Sequence, residues 1–544
     1  MKLIASGIGR CHAPELTRNA FISAFVAGAD GLRLPLRLTS DKRVVVFEDE
    51  TTDRLTGTAG AVSDLTLDQL RALDIGANFT EADGSRFSYP GRVESFGLLL
   101  DALPPTAYLV LELKPEPDAS RRIELASQAA AGIAHRARQH LTLAFGQEAD
   151  ALAEFRKKCP GATTALHSPG KAGGQAVADA ITAKADAVVL PVEALVNPQG
   201  VLTPFATEVR ATQASAKLPL GVLISNTGRF SAPAYAALNA EKAMWGLLVE
   251  SLVQAAATVR PGWVWVNEQW GQKAANGQDV NTYLWRLGYA KYNPERYCHV
   301  FPDNGIHVDI KPFTSRTSLA SSGNDIEDDL QKLLSRTWDA LKDWPFYSGG
   351  GAGFVPGIEG DFSAEVDVQS ETAQQATTVE MAVLNGDPGA HRAPWITNAA
   401  GKLVPNPPAS FRDKHTFYDP HGAPPYVGVE HDEDDGWRIN WNLGTDYDSN
   451  QYGRAVGDGK LLTGRMRLDR RGAYFAAYYR ATGKSSPEDW VCLGVVRNES
   501  LNPKIYLRLA GKRWRQEDPN NPSTFMPVIP NHFTFKNFTL TRFP

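Results

Sequence analysis

Over the first 258 residues, short apolar runs alternate with amphipathic stretches. The apolar runs predict strands at Lys2–Ile4, Gly31–Leu36, Val44–Phe47, Tyr108–Leu113, Leu141–Phe145, Thr163–Leu166, Ala187–Leu190, Pro219–Ile224 and Met244–Val249. Helical periodicity predicts Leu67–Leu73, Arg121–Arg136, Ala149–Lys157 and Thr207–Ala216 between many of them. Continuous apolar strands interleaved with helices are the pattern of a parallel sheet covered by helices. About eight such units fit a (β/α)8 TIM barrel better than an open sheet.

The pattern changes near Arg260. Pro261-Gly262-Trp263 opens an aromatic-rich stretch with Trp263, Trp265, Trp270 and Trp285, and a helix is predicted at Ile326–Leu341 behind an Asn324-Asp325 cap. Ser348-Gly349-Gly350-Gly351-Ala352-Gly353 reads as a break in the chain. Beyond it, alternation predicts strands at Phe362–Val368, Thr378–Leu384, Trp437–Trp441, Leu461–Leu468, Ala473–Tyr479, Val491–Val496, Lys504–Leu509 and Phe533–Thr541. Regular strands between Gly, Pro, Asn and Asp turns indicate an antiparallel β-sandwich. The expected organisation is a barrel over 1–258, a Trp-rich connector with a helix over 259–345, and a sandwich over 346–544.

Composition narrows the function classes. At roughly 150 residues per domain, 544 residues suggest two to four domains. Hydrophobic residues at 43% and charged residues at 22% suit a globular chain with a full core. A net charge of -5 excludes the broad basic field of a non-specific nucleic-acid binder. No apolar run reaches the roughly 18 residues of a membrane span, and the opening ten residues are too weakly apolar for a secretory signal. Cys11, Cys159, Cys298 and Cys492 form no CxxC pair, so neither a disulfide framework nor a zinc knuckle is indicated. The expectation is a cytoplasmic, reduced protein.

Ala13-Pro14-Glu15 is followed by Thr17 and Phe21, then by Ala27-Gly28-Ala29-Asp30-Gly31 and Leu38-Thr39-Ser40-Asp41. Val44-Val45-Val46-Phe47, Asp49-Glu50-Thr51, Asp53-Arg54, Ser63-Asp64-Leu65-Thr66-Leu67 and Leu111-Glu112-Leu113-Lys114-Pro115 continue the series. In order and spacing this resembles the glycerophosphodiester phosphodiesterase family of the phospholipase-C-like barrel superfamily. The likeness is specific over residues 1–115 and rests on strand spacing from there to about 258.

The resemblance implies metal-assisted attack by a 2-hydroxyl, with one histidine as base and another as acid. The positions that carry this chemistry differ here. Ser6-Gly7 stand where the family has His-Arg, Arg33-Leu34-Pro35 where it has its Glu-x-Asp metal ligands, and Glu48-Asp49 where it has a second His before an Asp. Glu112 and Lys114 retain the family's Glu-x-Lys. A divalent cation on one carboxylate beside Arg33 and Lys114 is repelled and poorly coordinated. The resemblance therefore implies a degenerate barrel whose ancestral phosphodiesterase activity is lost.

A site is still expected at the C-terminal ends of the barrel strands, where Ser6, Arg33, Glu48, Glu112, Lys114, Gln147, His167, Glu193, Asn226 and Glu250 fall. Glu48 and Glu112 are the candidate catalytic pair, suited to glycoside chemistry, with an inert pairing of Glu112 to Lys114 or Arg33 as the alternative. Arg33, Lys114, His167 and Glu250 are candidate binding residues, and Arg33 and Lys114 with Arg10 suit an anion such as a phosphate or sugar acid. His12 reads as a loop histidine.

In the second half, Gly357–Val366, Leu493–Val496 and Phe533–Phe538 resemble the concanavalin-like sandwiches of glucanases and lectin-like modules, which implies a jelly-roll that binds carbohydrate. Asp446, Asp448 and Asn450 imitate the start of a calcium loop, but Gln451 replaces its glycine and no glutamate closes it. Cys298-His299 with His307 and Asp309 matches no zinc spacing. His431-Asp432-Glu433-Asp434-Asp435 reads as a solvated acidic loop, and Trp263, Trp265 and Trp270 as packing residues rather than a sugar platform. No cofactor is expected, calcium or magnesium being the alternative. The partners expected are a glycan or an anionic small molecule, with self-association open and no nucleic acid. The functional expectation is a ligand-binding or assembly protein. Its alternative is a rebuilt carbohydrate-active hydrolase using Glu48 and Glu112, or a residual phosphoric diester hydrolase.

Overall fold

The computed structural model describes residues 2–6, 13–80, 91–171, 173–216, 221–225, 232–240, 244–249, 262–268, 280, 284–289, 298–310, 347–370, 377–385, 395–397, 403–405, 425–432, 435–444, 451–453, 455–456, 463–514, 517–518, 521–525 and 531–543. The chain divides into two compact units, Met1–Pro261 with Ser486–Trp490, and Gly262–Ser485 with Val491–Pro544.

The first unit is built on a nine-stranded sheet. Its strands are β1 (Lys2–Ala5), β2 (Gly31–Leu38), β3 (Val44–Val46), β4 (Tyr108–Leu113), β5 (Thr142–Gly146), β6 (Thr163–His167), β7 (Ala187–Pro191), β8 (Gly221–Ser225) and β9 (Met244–Val249). Parallel pairing runs β1-β2-β4-β5-β6-β7-β8-β9 and returns to β1, which pairs with β2 through Ile4↔Gly31 and with β9 through Leu3↔Leu247. The sheet thus closes into a barrel, with β3 antiparallel on the end of β2. Ile4, Val110, Leu143, Phe145, Ala165, Ala187, Val189 and Leu248 form one buried cluster.

The motifs singled out in the sequence prove to be joints of this scaffold. Gly31 lets β1, β2 and β4 come together, since a Cβ there would lie 2.6 Å from Ile4 and 2.8 Å from Tyr108. The Asp30 carboxylate accepts from Leu3 N at 2.8 Å, and Thr17 caps helix Arg18–Val26 by accepting from Ala20 N. Asp41 accepts from Leu67 N at 3.0 Å, while Thr66 and Gln69 form a reciprocal capping box for helix Leu67–Ala72. Arg54 bridges Glu15 and Asp49. Helix Ala119–His135 starts at an Asp118 cap and buries Leu125, Ala126, Ala129, Ala130 and Ile133, the apolar stripe its periodicity predicts. Helix Arg18–Val26 carries no such contrast, because Ala20 through Val26 are all buried.

Among the described residues, the second unit contains two large antiparallel sheets and two two-stranded ones. One runs Cys298–Pro302, Ile306–Ile310, Asn531–Arg542, Phe362–Ser370, Thr463–Arg471, Tyr474–Ala481, Val491–Arg497, and Trp263–Glu268 also pairs with Asn531–Arg542. The other runs Trp285–Tyr289, Tyr347–Phe354, Lys504–Trp514, Thr377–Leu384, Tyr426–Asp432, Gly436–Asn442, Gln451–Tyr452. Aromatic contacts join the two sheets face to face: Trp285 meets Phe538 edge-on at 4.9 Å and Trp437 stacks on Tyr479 at 4.4 Å.

Two expectations change here, and a third is untested. The stretch read as a connector supplies strands to both sheets, because Trp263 pairs with Arg542 and Trp285 with Phe354. The helix expected at 326–341 lies outside the described residues. The glycine run is no break but part of strand Tyr347–Phe354, where a Cβ on Gly351 would lie 2.0 Å from the Leu509 carbonyl oxygen. Glycine is there because the neighbouring strand passes too close for a side chain. Among the described residues, no helix is long and apolar enough to cross a membrane.

Candidate functional site at the barrel mouth

Strand alternation builds this site. The pleat that turns Val110 into the interior cluster turns Glu112 the same way, and Lys114 follows one step past the end of β4. On β2, Leu32, Leu34 and Leu36 are fully buried while Arg33 is not. Glu48 follows β3, where Phe47 N donates to Pro35 O at 2.8 Å and Arg37 Nη2 donates to the Glu48 carbonyl at 3.2 Å. Two hydrogen bonds thus tie down the loop that carries Glu48.

The four charged side chains interlock. Arg33 Nη1 lies 2.9 Å from Glu48 Oε2, and Nη2 donates to Glu48 Oε1 at 3.0 Å. The same guanidinium donates to Glu112 Oε2 through Nε at 2.7 Å and also through Nη2. Lys114 Nζ closes the ring at 2.6 Å from Glu48 Oε1 and 3.0 Å from Glu112 Oε1. Ser6 Oγ accepts from Arg33 Nη1 at 3.4 Å. Side-chain exposures of 12–25% leave the network partly shielded from water, so its charge-assisted bonds are stronger than surface pairs.

Electrostatics follow from this geometry. Burial raises the Glu48 carboxyl pKa, but attraction to Arg33 and Lys114 outweighs it and brings the group to about 2. Burial works against the Arg33 charge as well, yet Glu112 and Glu48 shift it upward overall. His167, at the end of β6 and edge-on to Phe145, is held below its usual value, chiefly by burial, with Lys114 and Arg33 reinforcing and Glu112 opposing. The mouth thus joins Glu48 and Glu112 to Arg33 and Lys114, with His167 in their field. Glu48 has no proton to give as a general acid, and Arg33 covers both carboxylates that would act on a substrate. A divalent cation does not fit, because the carboxylate oxygens that would face it are engaged by Arg33 and Lys114. Among the described residues, no three His, Cys, Asp or Glu side chains form a group that could hold a metal ion.

Of the other expected mouth residues, Gln147 is exposed after β5 and Glu193 is exposed on the short helix Val192–Leu195. Arg10, His12, Asn226, Glu250, Asp446, Asp448, Asn450 and Trp270 lie outside the described residues.

Elsewhere the structure redraws several motifs. His431 and Asp432 are buried strand residues rather than a solvated loop; His431 packs edge-on to Trp437, and Arg438 pairs with Asp432, Asp435 and Glu430. Trp285 is buried, whereas Trp263 and Trp265 are 50% and 37% exposed with the Arg542 guanidinium over both rings. His307 Nδ1 sits 2.8 Å from His532 Nε2, and His532 Nδ1 lies 3.9 Å from Asp309. The sequence reading missed His532, which stands 225 residues from His307 and gives no local signal.

The model of the "Glycerophosphoryl diester phosphodiesterase family" matches residues 9–162. A glycerophosphodiester phosphodiesterase of Caldanaerobacter subterraneus subsp. tengcongensis is 38% identical over 117 residues, 21% of this chain and 41% of the relative. One from Bacillus altitudinis is 40% identical over 72 residues, 13% of this chain and 29% of the relative. The chain thus spans less than half the length of these curated relatives. The crystal structure of a glycerophosphodiester phosphodiesterase from Agrobacterium tumefaciens is 20% identical with a TM-score of 0.37, covering 47% of this chain and all of that one. The matched segment identifies a domain homologous to glycerophosphodiester phosphodiesterases.

Proposed function

We propose that this protein is a ligand-binding or assembly protein: its phosphodiesterase-like barrel has kept the scaffold and lost the inherited chemistry, and its second unit, a concanavalin-like sandwich, holds a glycan or an anionic small molecule. The observation that carries the first half is the Arg33 guanidinium. It occupies the space between Glu48 and Glu112 and engages both. A group that is permanently cationic replaces an exchangeable metal, and a carboxyl whose pKa is drawn down to about 2 replaces a proton donor.

Purified full-length protein is assayed for release of glycerol 3-phosphate from glycerophosphocholine with magnesium, calcium or manganese. The expected result is no turnover above the buffer blank. Metal-dependent turnover that Glu112→Gln abolishes overturns the reading.

One observation favours the rebuilt-hydrolase alternative: Glu48 and Glu112 both lie within 3.0 Å of Lys114 Nζ, so their carboxyls are close enough to act on one bond. That enzyme would need Arg33 and Lys114 to withdraw on binding. Glycan hydrolysis lost in both Glu48→Gln and Glu112→Gln would establish it in place of the binding protein.

A further inference from the structure

In the second unit, strands Phe362–Ser370, Thr463–Arg471, Tyr474–Ala481 and Asn531–Arg542 border a cavity of about 390 Å³, within the size range of small-molecule sites, about 300–1,000 Å³. Its wall carries four cations, Arg465, Arg480, Lys484 and Lys536, against one carboxylate, Asp367. That carboxylate is already committed, with Oδ1 2.7 Å from Arg465 Nη1 and Oδ2 accepting from Asn537 Nδ2 at 2.7 Å. Arg465 is compensated further by Glu365 at 2.9 Å. With Glu365 counted, the wall and the carboxylate behind it hold an excess of two positive charges, four cations less two carboxylates, in a chain whose net charge is -5. Such a local reversal of sign in a concave site concentrates anions.

Two further features shape the ligand. Lys484 is presented by a tight turn, closed by Lys484 N donating to Ala481 O at 3.2 Å and made possible by Gly483 at φ +82°. The same wall carries the hydroxyls of Thr463 and Thr482 and the amide of Gln369, neutral groups that pair with hydroxyls as readily as with an anion. An inorganic ion would leave them unmatched.

We infer that this cavity binds an acidic sugar, a small hydroxylated molecule bearing a carboxylate or phosphate. The inference rests on reading the second unit as the ligand-binding half of the protein, and it says where the ligand sits and why it is charged. Lys484 and Lys536 meet the anion, and the threonine and glutamine side chains meet its hydroxyls.

The test is calorimetric titration of the full-length protein with glucuronate, glucose 6-phosphate and glucose. The expected result is saturable binding of one or both acidic sugars, about tenfold or more tighter than glucose, a difference typical of one well-placed charge pair. The tighter of the two identifies the anion as carboxylate or phosphate. Lys484→Gln and Lys536→Gln should each weaken binding several-fold with melting temperature unchanged. Equal binding of glucose, or binding untouched by both lysine changes, overturns the acidic-sugar site. Binding lost in Arg33→Met but kept in both lysine variants also overturns this cavity, yet leaves the protein a ligand binder. No binding of any of the three sugars overturns the cavity and removes the support for the ligand-binding half together.

Discussion

The guanidinium of Arg33 grips Glu48 at both carboxylate oxygens, Nη1 at 2.9 Å from Oε2 and Nη2 at 3.0 Å from Oε1. With Lys114 it neutralises the mouth of the barrel from within. Removing the guanidinium leaves two shielded carboxylates sharing one lysine. Arg33→Met should therefore lower stability by roughly 1–3 kcal/mol in urea unfolding, below the range for a fully buried pair because water still reaches the network. Arg33→Lys should recover only part of this, since an ammonium cannot grip two carboxylates in the same plane. An unchanged denaturation midpoint for Arg33→Met would show the network contributes nothing.

Glu48 makes stability depend on acid. Its folded pKa of about 2 lies below the unfolded value of 4.5, so its stabilisation is complete above pH 4.5 and disappears as pH falls toward 2. The loss attributable to this group is on the order of 2–3 kcal/mol. Glu48→Gln should be less stable than wild type at pH 7, and the difference should shrink through the window from pH 4.5 to 2. Parallel curves over that range would contradict the assignment.

His167 reports the same field. Burial, Lys114 and Arg33 lower its pKa, and Glu112 alone among the named charges raises it. Its NMR titration midpoint should fall below 6.5 in wild type, fall further in Glu112→Gln and rise in Lys114→Met. A midpoint indifferent to both changes would remove His167 from the mouth network.

Metal response separates scaffold from chemistry. Millimolar magnesium or calcium should leave the wild-type melting temperature unchanged. In Arg33→Glu with Pro35→Asp, carboxylates stand at the two positions where the resembled family carries its ligands, beside Glu112. That variant should gain several degrees with metal by mass action. A metal-induced rise in wild type, or none in the variant, would count against Arg33 as the replacement for a cation.

Gly351 tests the second unit. A Cβ there would meet the Leu509 carbonyl at 2.0 Å, so Gly351→Val should cost about 3 kcal/mol or more by overpacking and lower the melting temperature sharply. At Gly360, where φ is +80° and no atom lies within 4 Å, Ala should cost only the backbone strain, about 1–2 kcal/mol. Equal, small losses at both positions would deny the close pairing of Tyr347–Phe354 with Lys504–Trp514.

Much of the architecture was legible along the chain. Tyr108–Leu113 and Met244–Val249 are strands over the residues the apolar pattern marks, and Ala149–Lys158 extends its prediction by one residue. These elements depend on side-chain periodicity and neighbouring turn residues, which are local. The charged residues of the mouth were also visible, because Arg33, Glu48, Glu112 and Lys114 fall within apolar strand runs or just past their ends. Where local contrast is missing, the chain says less: Arg18–Val26 is buried almost throughout and carries no amphipathic stripe, and the glycine run resembles a linker until a partner strand lies against it.

The sequence by itself marked most strands of the first unit and placed Arg33, Glu48, Glu112 and Lys114 on those strands or just past their ends. Only the tertiary structure decided how they meet. Closure through Leu3↔Leu247, the pairing of Trp263 with Arg542 and the bonds from Arg33 to Glu112 join residues tens to hundreds of positions apart. No periodicity records such contacts, because their geometry comes from the packing of whole sheets. Two carboxylates and two cations in a sequence are compatible with a catalytic pair, a metal site or an ion-pair network. Distances of 2.6–3.0 Å among them made it a network, since opposite charges brought together in a partly shielded mouth neutralise one another before any substrate arrives.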